Sequence, residues 1–330
     1  MCNSPICLRI ERVDGAFPFT IKNFFKKEGN KLTVKKPLIS VIIPTFNRGN
    51  IILDTIQSVL NQTYTNFELL IVDDASTDHT SEMVNSISDQ RIKYIKLNQN
   101  TKGKEARNKG ITESTGEFIA FLDSDDLWAR EKLEKQLKFM IKNANNINHA
   151  FCFTNLYMQK DTKLVNCTNK LFSPSKNVMD YILSEKNIVQ TSTYMVSSNL
   201  AKRTLFNNTL TKHQDWDFCL RLLKNQAEFL FYPESLTIWK VDDRKDRISA
   251  GYKNIDVSLK WLEENRPFLS KKAICGFEMT ILYGYYLRQK EFKKALKILK
   301  TAKNNQALNL YDLIKSILLF ILFKLKIKNS

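Results

Sequence analysis

The sequence predicts an α/β fold, a mostly parallel sheet flanked by helices and followed by a helical extension. Three observations predict it. Between residues 38 and 122, short β-branched apolar runs alternate with segments of helical periodicity, the order that right-handed crossovers turn into a parallel sheet. Two of those runs end in clusters of aspartate, at the strand ends where open α/β sheets bind ligands. From residue 256 onward the pattern is helical throughout.

Leu38-Ile39-Ser40-Val41-Ile42-Ile43, stopped by Pro44, reads as a parallel strand buried on both faces. Asn47 is placed to cap the next helix, whose inward face is Ile51, Ile52, Thr55, Val59 and Leu60. Phe67-Glu68-Leu69-Leu70-Ile71-Val72 forms a second strand ending in Asp73-Asp74, followed by a helix near 78–87 and a strand near 91–97. Residues 102–113 read as a helix, and Phe118-Ile119-Ala120-Phe121-Leu122 as another buried strand running into acids. Residues 145–255 are more mixed, with strand-like runs at 150–157, 190–196 and 229–232. Beyond them, Tyr283, Phe292, Ala295, Leu296 and Leu299 suggest a helical hairpin. The expected boundaries are therefore 1–37, 38–255 with a division at 127/128, and 256–330.

Composition limits the function classes. The chain has 330 residues, 43% of them hydrophobic, including 21 Phe, enough for a large core and too many for disorder. Six cysteines occur without a C-x-x-C pair, which reads as reduced thiols in a cytoplasmic chain. The net charge is +17, but its distribution is uneven. Residues 1–37 carry 8 basic and 3 acidic side chains, residues 266–330 carry 14 and 3, and the middle carries 29 and 28. A nucleic-acid enzyme concentrates basic charge around its working cleft; this centre is neutral, so no nucleic-acid partner is expected.

The basic C-terminus is also apolar. Leu313, Ile314, Ile317, Leu318, Leu319, Phe320, Ile321, Leu322, Phe323, Leu325 and Ile327 are interrupted by Lys315, Lys324, Lys326 and Lys328. The longest run without a charge is too short for the roughly 20 residues of a spanning helix. A helix lying on an anionic membrane surface fits, each lysine there contributing about 1 kcal/mol. Docking on the protein's own core is the alternative. No leader of the secretory type is expected at the N-terminus, and residues 1–37 read as an extension of uncertain order.

Asp123-Ser124-Asp125-Asp126 is the sharpest chemical feature. Carboxylates at i and i+2 just past a strand can aim oxygens into one small volume, which suits Mg²⁺ or Mn²⁺ completed by substrate phosphates. An acidic turn capping a helix near Ala129 is the simpler reading of that motif alone.

Four segments then occur in order: Ser40-Val41-Ile42-Ile43-Pro44-Thr45-Phe46-Asn47-Arg48, Val72-Asp73-Asp74-Ala75-Ser76-Thr77-Asp78, Gly103-Lys104-Glu105-Ala106-Arg107-Asn108-Lys109-Gly110 and Asp123-Ser124-Asp125-Asp126. Together they resemble the family 2 glycosyltransferases, over about 90 residues and more loosely to about residue 250. The resemblance implies a GT-A fold, a Rossmann-like sheet with flanking helices, and inverting transfer from a nucleotide-diphospho-sugar, a UDP-sugar being favoured. It implies that Pro44, Thr45, Phe46 and Asn47 line the nucleotide site, that Asp74 accepts from the base, and that Asp73 supports its loop. It implies further that Asp123 and Ser124 lie near ribose or metal, that Asp125, with Asp123 and Asp126, holds a divalent cation, and that Arg107 orients the donor.

His213-Gln214-Asp215-Trp216-Asp217-Phe218 is similar to the family's Glu-Asp-x-Asp segment, with Gln214 in place of the usual Glu. The resemblance makes Asp215 the catalytic base; His213 is its rival, since an imidazole titrates in the right range. Trp216 offers an aromatic face for a sugar, and Asp217 orients the loop or contacts the acceptor. Where many members carry Tyr-Arg-x-His, this chain reads Trp239-Lys240-Val241-Asp242, then Asp243 and Arg244, so Asp242 stands as a metal candidate and Arg244 as a phosphate candidate. The Gln-x-x-Arg-Trp segment of processive members is absent.

The leading expectation is a metal-dependent inverting glycosyltransferase acting on a surface-glycan or lipid-linked acceptor, peripheral on the cytoplasmic face of the inner membrane. Lipopolysaccharide or capsule synthesis is the class of pathway that fits. A nucleotidyltransferase is the second reading, opposed by the lack of a Gly-rich or Lys-bearing phosphate loop at the first strand. A non-enzymatic membrane-peripheral scaffold is the third.

Overall fold

The computed structural model describes residues 25–28, 31–34, 36–101, 103, 105–241 and 255–328. Asp242, Asp243 and Arg244 lie outside them. The chain divides into two units, Met1–Lys36 and Pro37–Ser330. In the first, β1 (Phe25–Glu28) and β2 (Lys31–Val34) pair antiparallel.

The second unit begins with β3 (Ile39–Thr45), its apolar run buried on both faces. Then come α1 (Ile52–Leu60), β4 (Phe67–Asp73), α2 (Thr80–Asn85), β5 (Ile92–Lys96), α3 (Ala106–Glu113) and β6 (Phe118–Phe121). Strands β5, β4, β3 and β6 lie side by side in that order and are parallel. From β3 the chain winds one way to β4 and β5, then returns to β6 on the other side. That reversal creates a crevice at the carboxyl ends of β3 and β6.

β7 (Leu127–Trp128) and α4 (Lys132–Asn143) follow, where a helix near Ala129 was expected. β8 (Ala150–Lys160) forms a hairpin with β9 (Lys163–Cys167), and β10 (Met195–Ser197), α5 (Ser198–Thr204), α6 (Gln214–Lys224) and β11 (Glu228–Val241) complete the sheet. The order continues β6-β10-β8-β11-β7. β8 and β11 run parallel, but β10 is antiparallel to both β6 and β8, and β7 is antiparallel to β11. The sheet is therefore mixed beyond β6, while β3, β4, β5, β6, β8 and β11 run in one direction and keep it mostly parallel. Half of the 190–196 run is a 3-10 turn, Thr191–Thr193, and its apolar pattern did not reveal direction. Asn47 does not cap α1, which starts four residues later from Ile51 without a side-chain cap.

The C-terminal helices are α7 (Ile255–Asn265), α8 (Lys271–Phe277), a π-helical turn (Glu278–Tyr283), α9 (Gly284–Arg288), α10 (Phe292–Asn304) and α11 (Leu310–Lys328). Trp261, Phe277, Leu282, Ala295 and Leu299 belong to the same buried cluster as Phe121, Phe206 and Phe218. Phe206 and Phe218 stack at 4.0 Å, and Phe121 meets each of them edge-on. The helical layer thus extends the core of the sheet domain.

Candidate active site

The carboxyl ends of β3, β4 and β6 open into one cavity of about 810 Å³. Pro44, Thr45, Phe46 and Arg48 enter it from β3, Asp74 from β4, Ala106 and Arg107 from α3, and Asp123 to Asp126 from the exit of β6. Gln214 and Asp215 enter from the start of α6. All four motifs and the base segment therefore face one volume.

Two groups on the β3 side are left for a ligand. Thr45 is buried, and its Oγ1 has no hydrogen-bond partner among the described residues. Phe46 remains 37% exposed. Asn47 turns instead to the neighbouring loop: in a left-handed conformation (φ 51) it donates its N–H to Ser76 Oγ at 2.9 Å, and its Oδ1 accepts from Thr77 N at 2.9 Å. Side-chain bonding to nearby backbone is what makes asparagine tolerable there.

The paired aspartates after β4 divide their work. Asp73 Oδ1 accepts from Ser76 N and Oγ at 2.8 and 2.5 Å, and its other oxygen accepts from the Tyr94 hydroxyl, which fixes the turn. Asp74 Oδ1 accepts from Thr101 N at 2.9 Å and Thr101 Oγ1 at 2.6 Å, and Oδ2 accepts from Gly103 N at 2.7 Å. Both Asp74 oxygens thus hold Thr101 and Gly103 beside the cavity, a task the resemblance did not assign.

The acids after β6 are equally differentiated. Asp126 is buried; Oδ2 accepts from Ser192 Oγ at 2.7 Å and Gln190 Nε2 at 2.9 Å, and Oδ1 accepts from Lys240 N at 3.1 Å. Both Asp126 oxygens accept from protein donors, so Asp126 ties this loop to β11 and the 190–192 turn. Burial, with the charges of Asp123 and Asp125 added, holds its carboxyl well above the ordinary range. Asp123 Oδ1 accepts from Arg107 Nη2 at 2.6 Å, and Ser124 and half-buried Asp125 line the cavity beside it. Among the described residues no group of three or more His, Cys, Asp or Glu forms a protein-only metal cage. Asp123 and Asp125 supply hard oxygens, too few to enclose an ion, and this fits Mg²⁺ or Mn²⁺ completed by phosphate oxygens.

Residues 40–201 match the family model Glycosyl transferase family 2. An uncharacterized glycosyltransferase of Haemophilus influenzae is 37% identical over 59% of this chain and 76% of its own length. The chain belongs to glycosyl transferase family 2. The family 2 transferase also resembles the UDP-Glc:alpha-D-GlcNAc-diphosphoundecaprenol beta-1,3-glucosyltransferase WfgD of Escherichia coli, 40% identical over 46% of this chain and 57% of that one. Among solved structures, S. aureus TarS 1-349 in complex with UDP-GlcNAc superposes with a TM-score of 0.61 at 19% identity, covering 79% of each chain. That likeness is one of fold, and the fold is GT-A.

In this transferase α6 carries the carboxylate for which the base segment was singled out. Asp215 lies in its first turn, and Oδ1 accepts from Trp216 N at 2.9 Å. Burial pushes the Asp215 carboxyl up to about 6 and Asp123 acts in the same direction, while backbone N–H groups and Arg107 oppose them. His213, the rival, precedes α6 in a left-handed conformation (φ 64) and pairs its Nε2 with Ser258 Oγ at 2.8 Å. Burial pushes its imidazole down to about 3, so it stays neutral at pH 7 and is a poor proton acceptor.

Two other expectations change. Trp216 stacks one face on His213 at 4.8 Å and meets Phe277 at an angle, and it is not among the residues lining the cavity. Asp217 is 3% exposed and accepts from Trp261 Nε1 at 2.9 Å, turned into the core rather than toward an acceptor. Trp239 on β11 lines the cavity instead, with Gln190, Thr211 and Lys212. Trp239 stood in the sequence only as the start of a divergent segment, and Gln190 lay in no motif.

Proposed function

We propose that the chain is a metal-dependent inverting transferase that moves a sugar from a UDP-sugar to a hydroxyl of a lipid-linked glycan. The observation that carries this reading is the convergence of Asp74, Asp123, Asp125 and Asp215 on one cavity. Phe46 offers its exposed ring to the nucleobase, and Thr45 Oγ1 offers an unused hydroxyl to the nucleoside. Asp123 and Asp125 would hold the cation against the diphosphate. A divalent cation held there would supply Lewis-acid chemistry, offsetting negative charge on the departing diphosphate.

Arg107, fixed between Asp123 and Gln214, keeps positive charge beside the same leaving group. The acceptor oxygen attacks the anomeric carbon from the face opposite the nucleotide. Its proton passes to Asp215, the new C–O bond forms, and the bond to the β-phosphate oxygen breaks, releasing the nucleoside diphosphate and inverting the centre. A carboxylate with a pKa near 6 is ionised at neutral pH and more basic than an exposed aspartate. Trp239 offers the acceptor sugar an aromatic platform.

The diphosphoundecaprenol acceptor named for the Escherichia coli relative supports a lipid-linked acceptor here. A cytosolic nucleotide sugar and such an acceptor meet at the cytoplasmic face of a membrane, in polysaccharide or lipopolysaccharide assembly. The test is a panel of nucleotide sugars with Mn²⁺, read by thermal shift and by slow donor hydrolysis. One donor should raise the melting temperature by mass action and release nucleoside diphosphate. Release of pyrophosphate would indicate a nucleotidyltransferase, and the absence of any stabilising donor would overturn the reading.

A further inference from the structure

Helix α11 is apolar on two opposite faces, and among the described residues one of them packs on the protein core while the other is exposed. Leu313, Phe320 and Phe323, at helical spacing, pack on the core cluster, and the Tyr283 hydroxyl donates to Ser316 O at 2.6 Å along the same edge. Lys186 pairs with Asp312 at 3.1 Å and holds the helix start. The opposite face carries Ile314, Leu318, Ile321, Leu322 and Leu325, spaced i, i+4, i+7, i+8 and i+11, which is one stripe of an α-helix. All five are exposed, from 46% at Ile321 to 56% at Leu318 and Leu322. Lys315 and Lys324 border that stripe on its two sides, and both are exposed. Helix α10 turns Lys293, Lys297, Lys300 and Lys303 to solvent nearby in sequence.

We propose that this outward stripe lies in the headgroup layer of an anionic phospholipid bilayer, with α11 parallel to the membrane plane. A stripe of contiguous apolar surface on a monomer marks an interaction site, and the basic border selects an anionic occupant. A second copy of the chain is disfavoured because Lys315 and Lys324 of each copy would be brought against those of the other. Among the described residues no helix is long and apolar enough to cross a membrane, and the inward face of α11 is already spent on protein. The arrangement bolts the lipid-facing helix to the layer that buries α6. Tyr283 ends the π-helical turn that follows Phe277, and Phe277 packs against His213 and Trp216 beside Asp215. The bilayer and the proton acceptor are thereby held in one body, which deepens and rests on the reading of a lipid-linked acceptor.

The test is flotation of the full chain with phosphatidylcholine vesicles, with and without about one-third phosphatidylglycerol. The wild type should float with the anionic vesicles only and detach in high salt, where charges are screened. The double variant Leu318→Glu/Leu322→Glu should lose vesicle binding at least tenfold, and Lys315→Glu/Lys324→Glu should lose it comparably. All four positions are exposed, so melting temperature and vesicle-free donor hydrolysis should not change. Unchanged flotation of the leucine variant overturns the proposal. So does a wild-type dimer in light scattering that the same substitutions turn into monomer. Donor hydrolysis without vesicles tests the transferase reading separately: its loss with flotation intact would sink that reading and leave the membrane face standing.

Discussion

Arg107 reaches across 107 residues of sequence to Gln214, donating Nη1 to the amide oxygen at 3.0 Å while Nη2 donates to Asp123 at 2.6 Å. One guanidinium thus ties the loop after β6 to the start of the helix that bears Asp215. Gln214 gives its own Nε2 to Leu210 O at 2.8 Å, so its amide is oriented from both ends. An amide at this position holds the fork of Arg107 without adding another negative charge beside Asp215.

Lysine at position 107 keeps the charge but loses the planar fork that serves two acceptors at once. Arg107→Lys should lower kcat/KM by about 10–100-fold, the loss of one charge-assisted hydrogen bond at about 1.5–3 kcal/mol. The melting temperature should move little, since Asp123 keeps a cation nearby. Kinetics indistinguishable from wild type would reduce Arg107 to a surface ion pair.

As the proposed base, Asp215 should give the activity a pH signature. Its carboxyl must be ionised to take a proton, so kcat/KM should rise with pH through about 6 and level off above it. Asp215→Asn should remove that limb and cut turnover by about 10²–10⁴-fold while donor binding survives. Stability runs the other way. Because the folded carboxyl titrates above its unfolded value, the folded state binds more protons between about 4 and 6, and stability falls as pH rises through that window. The asparagine variant, which cannot ionise, should therefore melt a few degrees higher than wild type at pH 7. A variant both inactive and less stable would argue that Asp215 is a structural residue.

The parts of this molecule that were legible in sequence are those where one residue type has one cheap place to go. Strands β3, β4 and β6 declare themselves because burial on both faces demands uninterrupted apolar residues, and their aspartates follow immediately. β10 showed only as part of a longer 190–196 run, because three residues cannot display a direction and its antiparallel pairing is decided by distant partners. Asp126 and Asp217 were read as site residues since a carboxylate beside a motif looks the same whether it faces ligand or core. Only the donors from Ser192, Gln190, Lys240 and Trp261, 44 to 114 residues away, distinguish them. Trp239 was hidden for the converse reason: it works from the end of a long strand with no local pattern around it.

The C-terminal helices carry a prediction about folding. Asp217 is buried with one oxygen on Trp261 Nε1 and the other without a partner among the described residues. Trp261→Phe keeps an aromatic ring but removes three buried heavy atoms and strands a buried carboxyl, a combined cost of about 2–4 kcal/mol. Thermal melts should show a drop of about 5–10 °C, with KM for donor nearly unchanged at a temperature where the variant is folded. A chain ending at Val241, which removes α7 and everything after it, should fail to fold, because Trp261 and Phe277 are core partners of the α6 residues.

Asp125 and Asp126 are neighbours in sequence with opposite expected phenotypes, and comparing them separates metal binding from scaffolding. Asp125 lines the cavity half-buried, so Asp125→Asn should leave the melting temperature of the ligand-free protein within a degree or two. It should raise the Mn²⁺ concentration needed for half-maximal transfer at least tenfold, since a neutral amide oxygen is a weaker ligand for a hard cation. Chelation should silence the wild type reversibly. Asp126→Leu should do the reverse: with the Ser192 hydroxyl and the Lys240 N–H deprived of this acceptor and Gln190 left with its longer contacts to Asp123 and Ser192, the protein should melt several degrees lower. Whatever activity survives should keep an ordinary Mn²⁺ requirement. If the leucine variant instead melts like wild type and needs more metal, Asp126 belongs to the cation after all, and its contacts to Gln190 and Ser192 serve to orient a ligand.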